Sequence, residues 1–221
     1  MLFSKAEQER IKSAVQNAEA MTSGEIVTLV VKSSGAYRWV HWFWGTMGWA
    51  VGSCGIWLIA TDSVWSFATH EILEVQCLFA LVGSLLGRIP LLKRWTLPKK
   101  LISERVHREC LANFVATGMQ ETRDRTGILI YLSELEHRVE ILADRGIHQH
   151  CGPDYWNEQV SHIAKGLRRG KGAESLIEAI GQIGKKLAEH FPPRDDDQNE
   201  LDNSITFGHQ SLPSSEPDPE N

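Results

Sequence analysis

The 221-residue chain is expected to form an α/β fold, a small α-β-α sandwich with a central three- to four-stranded sheet, interrupted by a transmembrane helical hairpin. Three observations predict this. Trp39 to Ala60 reads WVHWFWGTMGWAVGSCGIWLIA, without Asp, Glu, Lys or Arg, and exceeds the roughly 20 residues that cross a bilayer core. Two strand-like runs, EIVTLVVK from Glu25 and TGILIYLS from Thr126, lie on either side of that interruption. Stretches of helical periodicity accompany both runs, and a sheet covered by helices on its two faces is the natural way to bury them. The organisation that follows is a first part of the domain at 1–36, an insertion at 37–95 with spanning segments near 39–60 and 72–92, a second part at 96–193, and an acidic, mostly disordered tail at 194–221.

Taken in order, Ser4 and Glu7 form a capping-box pattern, and Ile11, Ala14, Val15 and Ala18 follow at helical spacing until Gly24. Glu25 to Lys32 is β-branched and strand-like. Within the insertion, six of the eight tryptophans lie between residues 39 and 65, and Gly45, Gly48, Gly52 and Gly55 accompany them. Trp favours the bilayer interface, and small residues at three- and four-residue intervals let helices pack closely in a membrane. That packing joins the two helices of the hairpin or reaches another membrane protein. The second segment, Ile72 to Leu92, is free of charge from Val75 to Gly87; Glu74 is expected at its interfacial start, Arg88 to snorkel, and Pro90 to kink its end.

After the hairpin, Pro98 opens a helix with Ile102, Val106, Cys110 and Phe114 on one face and Gly118 as its stop. Thr126 to Ser133 is apolar on both faces, as a central strand is, and turns through Glu134 to His137 into a second strand, Arg138 to Ala143. Asp144, Arg145 and Gly146 end the hairpin. Gly152-Pro153-Asp154 opens a helix carrying Trp156, Val160, Ile163 and Leu167, and a further helix carries Leu176, Ile180, Ile183 and Leu187 until Phe191-Pro192-Pro193. In the tail, eight carboxylates accompany one basic side chain, with little to bury.

Charge sets the expected orientation. Arg38 precedes the first segment, and Arg88, Lys93, Arg94, Lys99 and Lys100 follow the core of the second, whereas Thr61 to Glu71 contains no Lys or Arg. Basic flanks stay cytoplasmic. The reading is an integral protein of a bacterial inner membrane with both termini and the soluble domain in the cytoplasm, and with the lipid bilayer and a membrane protein as partners. With a net charge of -5 no basic surface for nucleic acid is expected. Cysteines 54, 77, 110 and 151 lack paired spacing and read as small buried hydrophobes in a reducing compartment. There is no G-x-S-x-G elbow, HExxH, Walker loop or dinucleotide fingerprint.

Several stretches resemble the TPM-domain family: TSGEIVTLV at 22–30, MQETRDRTGILIYLSELEHRVEILADRGI at 119–147, DYW at 154–156, AIGQIGKKLAEHFP at 179–192 and NEL at 199–201. Order and spacing match over about residues 4–36 and 98–203, apart from the inserted hairpin. The resemblance implies a central sheet flanked by helices. Plant members in the thylakoid lumen are associated with acid phosphatase activity and photosystem II repair, and some bacterial members bind divalent metal. Membrane-bound members place the domain outside the cytoplasmic membrane, before a carboxy-terminal anchor; here the anchor lies inside the domain.

Loops held by the sheet are the expected functional surface. Glu25, Asp144 and Asp154 are candidate oxygen ligands for Ca²⁺ or Mg²⁺, and Arg125 and Arg145 candidate contacts for phosphate or a partner. In the family pattern DRGI at 144–147 matches a glycine turn after the strand, and Asp154 an acidic position before a helix. Each residue also has a structural role open to it. Asp154 can cap its helix, Asp144 and Arg145 can be an exposed turn pair, Arg125 can pair with Asp124, Glu121 or Glu25, and Gly146 can supply an unusual backbone angle. His148, His150 and Cys151, with His137 or His162, raise a zinc alternative. The expected function is a membrane-tethered TPM-like module that binds a divalent cation or a protein partner at the cytoplasmic face. The alternatives are a weak metal-assisted phosphatase acting on phosphate monoesters and a non-catalytic membrane adaptor. No catalytic residue is assigned.

Overall fold

The computed structural model describes residues 2–62, 68–148, 150–193 and 206–208. The chain divides into two compact units, one made of residues 1–35 with 103–221 and the other of Ala36–Ile102.

In the first unit, helix α1 (Lys5–Glu19) opens with the predicted capping box: Glu7 N–H donates to Ser4 Oγ at 3.3 Å and Ser4 N–H to Glu7 Oε2 at 2.7 Å. Ile11, Val15 and Ala18 form its buried stripe. Strands β1 (Glu25–Val31) and β2 (Gly127–Ser133) pair in parallel with Ile26 opposite Ile128, and every residue of both is buried. Strand β3 (Arg138–Ala143) turns back antiparallel on β2. A short β4 (Thr206–Gly208) pairs in parallel with β1, giving the order β3-β2-β1-β4. Within the acidic tail, expected to be mostly disordered, Thr206, Phe207 and Gly208 extend the sheet edge beside β1. The remainder of 194–221 lies outside the described residues.

Alternation along the strands divides the core. Ile26, Val30, Ile128, Ile130, Leu132 and Val139 face a layer built from α1, α7 (Pro153–Arg168) and α8 (Gly172–Ala188). Leu176, Ile180, Ile183 and Leu187 of α8 are all buried, each contributing roughly 1.5–3 kcal/mol relative to exposure. Leu129 and Tyr131 point to the opposite face, where helix α5 (Lys99–Ala116) lies. Val106 and Cys110 are buried there, and His107 Nδ1 shares a hydrogen bond with Glu140 Oε1 of β3. Phe114, expected on this face, is half-buried. Gly118, the expected stop, adopts a left-handed φ of 72° just beyond the helix. Past β3, where the sequence suggested a plain turn, Arg145–His148 make one helical turn, α6.

The second unit contains α2 (Trp39–Asp62), α3 (Thr69–Leu86) and α4 (Pro90–Thr96). Two helical segments, Trp39–Ala60 and Thr69–Leu86, are long and apolar enough to cross a membrane. At 1.5 Å per residue they run about 33 and 27 Å, against a hydrocarbon core of about 30 Å. The second differs from the expected 72–92. It begins three residues earlier, so Glu74 lies in its second turn, and it stops at Leu86 with Gly87 as its cap, beyond which Pro90 occupies the first turn of a separate helix. A proline cannot continue the i−4 hydrogen-bond ladder, but it suits a helix start. The unit accordingly runs on to Ile102 rather than ending near residue 95.

The hairpin helices meet backbone to backbone. A Cβ at Gly48 would lie 2.2 Å from the Phe79 carbonyl oxygen, and one at Gly83 2.2 Å from that of Trp44. A Cβ at Gly45 would lie 3.7 Å from Ser84 Cβ, and one at Gly52 would touch Phe79, whereas one at Gly55 would meet nothing within 4 Å among the described residues. Gly45, Gly48 and Gly52 therefore serve packing within the hairpin, as small residues do. Gln76 Nε2 donates to Ser53 Oγ at 2.9 Å across the same seam. Outward, Trp42, Trp57, Leu78 and Leu81 are 78, 64, 57 and 59 % exposed. Cys54 and Cys77 are exposed as well, unlike the expected buried hydrophobes, while Cys110 and Cys151 are buried.

Candidate functional site

Four of the five predicted site residues gather at one end of the sheet. Glu25 opens β1 opposite Gly127, and its N–H donates to Thr126 O at 3.2 Å. Asp144 N–H donates to Gly127 O at 2.9 Å, and Gly146 N–H to Arg125 O at 3.1 Å, so the turn before β2 and the turn after β3 are stitched together. Arg125 has a left-handed φ of 57°. Gly146 does not serve by an unusual backbone angle: a Cβ there would lie 2.6 Å from Asp124 O and 2.7 Å from Arg125 O, so glycine is required by the close crossing of two backbones. The glycine of the DRGI segment thus has a structural cause.

Of the three predicted ligands, Glu25 and Asp144 are buried, and Asp144 has the more fully described environment. It is buried; its Oδ1 accepts from Arg145 N–H at 2.6 Å, and its Oδ2 has no hydrogen-bond partner among the described residues. Glu25 is buried too, whereas Arg125 and Arg145 are exposed. Asp154 is exposed in the first turn of α7, where a negative charge favours the helix dipole. The cap position itself belongs to Gly152, so Asp154 is not the cap that the sequence suggested. Among the described residues no group of three or more His, Cys, Asp or Glu side chains is placed to hold a metal ion. Glu25, Asp144 and Asp154 therefore do not fit a shared Ca²⁺ or Mg²⁺ as a three-carboxylate ligand set.

The zinc alternative divides in the same way. Cys151 belongs to the core, where burial pushes its thiol pKa up, and the thiolate that zinc needs is disfavoured. His150 packs on His190 and Phe191, with ring centroids at 4.7 and 5.3 Å, and its Nδ1 meets Gly146 O at 3.1 Å. His162 pairs with Glu178 at 3.2 Å. His137 occupies the β2–β3 turn with a φ of 50°, and the side chain of His148 lies outside the described residues.

Sequence reasoning missed the opposite end of the sheet, past the carboxyl ends of β1 and β2. Tyr131 OH and Ser34 Oγ lie 3.0 Å apart, Ser34 OH donates to Ser133 Oγ at 3.0 Å, and Ser133 OH donates to Glu136 Oε2. Because each serine hydroxyl has one proton to give, the chain runs in one direction, from Tyr131 to Ser34 to Ser133 to the carboxylate. Glu136 Oε1 also accepts Ser34 N–H at 2.8 Å. Tyr131, Ser34, Ser133 and Glu136 are all buried. Burial pushes the Tyr131 hydroxyl pKa up, which keeps its proton available for donation. Glu109 of α5 is buried above this network, with Oε2 lacking a hydrogen-bond partner among the described residues. Burial raises its pKa, against the lowering effect of Arg105 and Arg108 and with Glu136 adding repulsion. The sequence signal was slight: Ser33 and Ser34 follow the strand-like run that ends at Lys32.

A groove of about 340 Å³ opens beside β3, between α5 and α7. Val106, His107, Glu140, Trp156, Asn157 and Val160 line it. β3 is an edge strand, and the buried Trp156 Nε1 has no hydrogen-bond partner among the described residues.

No family model matches the chain, and no curated protein aligns with it. One solved structure is similar, the NMR structure of BA42 protein from the psychrophilic bacterium Bizionia argentinensis, with a TM-score of 0.57 at 20 % identity over 93 % of this chain and 95 % of that one. At that identity the likeness shows a shared fold.

Proposed function

We propose that the chain is a membrane-tethered binding module of the TPM type, whose α/β unit engages a protein partner at the cytoplasmic face. One observation carries the tether. Along α2 and α3, large side chains such as Trp42, Trp57, Leu78 and Leu81 point outward while glycines form the seam. Soluble monomers rarely expose so continuous an apolar surface, and lipid makes it favourable. The TPM reading is supported by where the resembling stretches fall: on β1, on the β2–β3 hairpin with its turns, on the start of α7 and on α8. The orientation is supported by Arg38, Arg88, Lys93, Arg94, Lys99 and Lys100 at one end and by their absence from Thr61 to Glu71. The groove beside the edge strand β3 is the surface best suited to a partner, since an edge offers unpaired backbone groups.

Cysteine labelling tests the tether and its orientation. In a background lacking the four native cysteines, Thr69→Cys is expected to react with a membrane-impermeant thiol reagent in intact cells, and Ser161→Cys only after permeabilisation. The reverse pattern would overturn the orientation, and release of the protein by alkaline carbonate would overturn the tether.

A divalent cation keeps one supporting observation, the buried Oδ2 of Asp144, which has no hydrogen-bond partner among the described residues. Without a converging ligand set, titration with Ca²⁺ or Mg²⁺ is expected to give no saturable heat. Saturable binding that disappears in Asp144→Asn would restore the cation reading. The phosphatase alternative needs that ion and has no observation of its own.

A further inference from the structure

We propose that α4 and its basic neighbours form a docking collar for anionic phospholipid headgroups, an inference that rests on the membrane tether above. Three features of the second unit point there. First, α3 ends at Leu86 and the chain restarts at Pro90 as a separate short helix, so the apolar surface changes direction after the last residue of the candidate span. Second, α4 is held in place at the end of the hairpin where α2 begins and α3 finishes. Trp44 Nε1 of α2 donates to Thr96 Oγ1 at 2.9 Å, and Thr96 OH donates to Leu92 O at 2.7 Å. So held, α4 turns Leu91 and Trp95, four residues apart and hence on one face, outward at 74 and 81 % exposure. Third, the charge is of one sign. From Val75 to Ser103 the chain has Arg88, Lys93, Arg94, Lys99 and Lys100 and no Asp or Glu.

An indole and a leucine presented beside clustered cations suit a bilayer boundary: the apolar pair enters the acyl edge while the cations meet lipid phosphates. The surface is continuous with the apolar exterior of α2 and α3, so the occupant is the same bilayer, selected for negatively charged lipids. A soluble acidic partner would meet the charges but not Leu91 and Trp95.

The full-length protein, reconstituted into phosphatidylcholine vesicles containing phosphatidylglycerol, provides the test. Tryptophan quenching is compared when either lipid carries brominated chains at equal mole fraction. The expected result is a preference of about fivefold for phosphatidylglycerol, weakened by salt, lost in the Arg88→Gln, Lys93→Gln, Arg94→Gln variant, and largely absent from the signal of Trp95→Phe. Equal quenching by the two lipids would overturn the collar and leave the tether intact. A preference unchanged by the triple substitution, or undiminished in Trp95→Phe, would place anionic lipid elsewhere and also overturn it. Quenching by neither lipid would overturn the tether and the collar together.

Discussion

α8 and α2 are both long and rich in apolar residues, and they spend them in opposite directions. α8 buries nine of its 17 residues against α1, α7 and the sheet, and keeps Glu174, Glu178, Lys185 and Lys186 on the other side. α2 has no Lys, Arg or Glu, buries little beyond Val40 and Gly52, and exposes Trp42, Trp49, Trp57 and Leu58. Apolar content alone does not say where a helix goes. The presence or absence of a polar stripe does, because a helix apolar all round needs an apolar surrounding on every side.

The largest effect that could break this contrast is a core truncation. Ile180→Ala is expected to destabilise the first unit by about 2–5 kcal/mol, since the cavity cannot collapse between packed helices. Leu58→Ala on the outside of α2 should change stability by less than about 0.5 kcal/mol. Denaturation in mild detergent measures both, and equal losses would mean that α2 is a core helix after all.

The seam of the hairpin comes next. Gly48→Leu puts a side chain where the Phe79 carbonyl already lies and is expected to cost about 1–3 kcal/mol, whereas Gly55→Leu meets nothing and should be neutral. A direct check is a cysteine pair at Gly45 and Ser84, whose Cβ separation of 3.7 Å suits a disulfide. The pair should oxidise readily in a background without native cysteines and fail to do so when Gly48→Leu is added. Similar oxidation in both would argue against the seam.

The smallest expected effect sharpens the contrast within the first unit. α8 presents only small and apolar groups to the core, but α5 also turns Glu109 inward. Its folded-state pKa is raised, chiefly by burial, so the protonated form is favoured in the native protein. The associated stability is fully present below the unfolded value of about 4.3 and is lost as pH rises through the raised folded value. Glu109→Gln removes that dependence. Thermal melts should therefore show the variant gaining on the parent as pH rises from acid to neutral, and parallel profiles would place the carboxylate in water.

What could be read in advance had local causes. The Ser4–Glu7 box, the seven-residue strands and the spacing of Leu176, Ile180, Ile183 and Leu187 each announce themselves within a few turns of chain. At the predicted site, Glu25, Arg125, Asp144 and Arg145 lie at strand ends as expected, yet strand ends alone could not say whether the carboxylates of Glu25 and Asp144 converge. Asp154 stands apart because it opens a later helix. The Tyr131–Ser34–Ser133–Glu136 chain escaped notice because hydroxyls are common in every sequence, and only the pairing of Leu29 with Tyr131 and Val31 with Ser133 brings these to one place.

By itself the sequence determined α1, β1 to β3, α5, α7, α8 and the uninterrupted apolar stretch Trp39–Ala60, because periodicity, caps and prolines act through neighbouring backbone atoms. Tertiary structure alone decided that Gly146 admits a crossing backbone, that Gly48 and Gly83 touch, that Thr206–Gly208 extends the sheet and that α4 separates from α3 to be held by Trp44. Those outcomes depend on contacts between residues far apart in the chain, whose energies exist only once the elements have met.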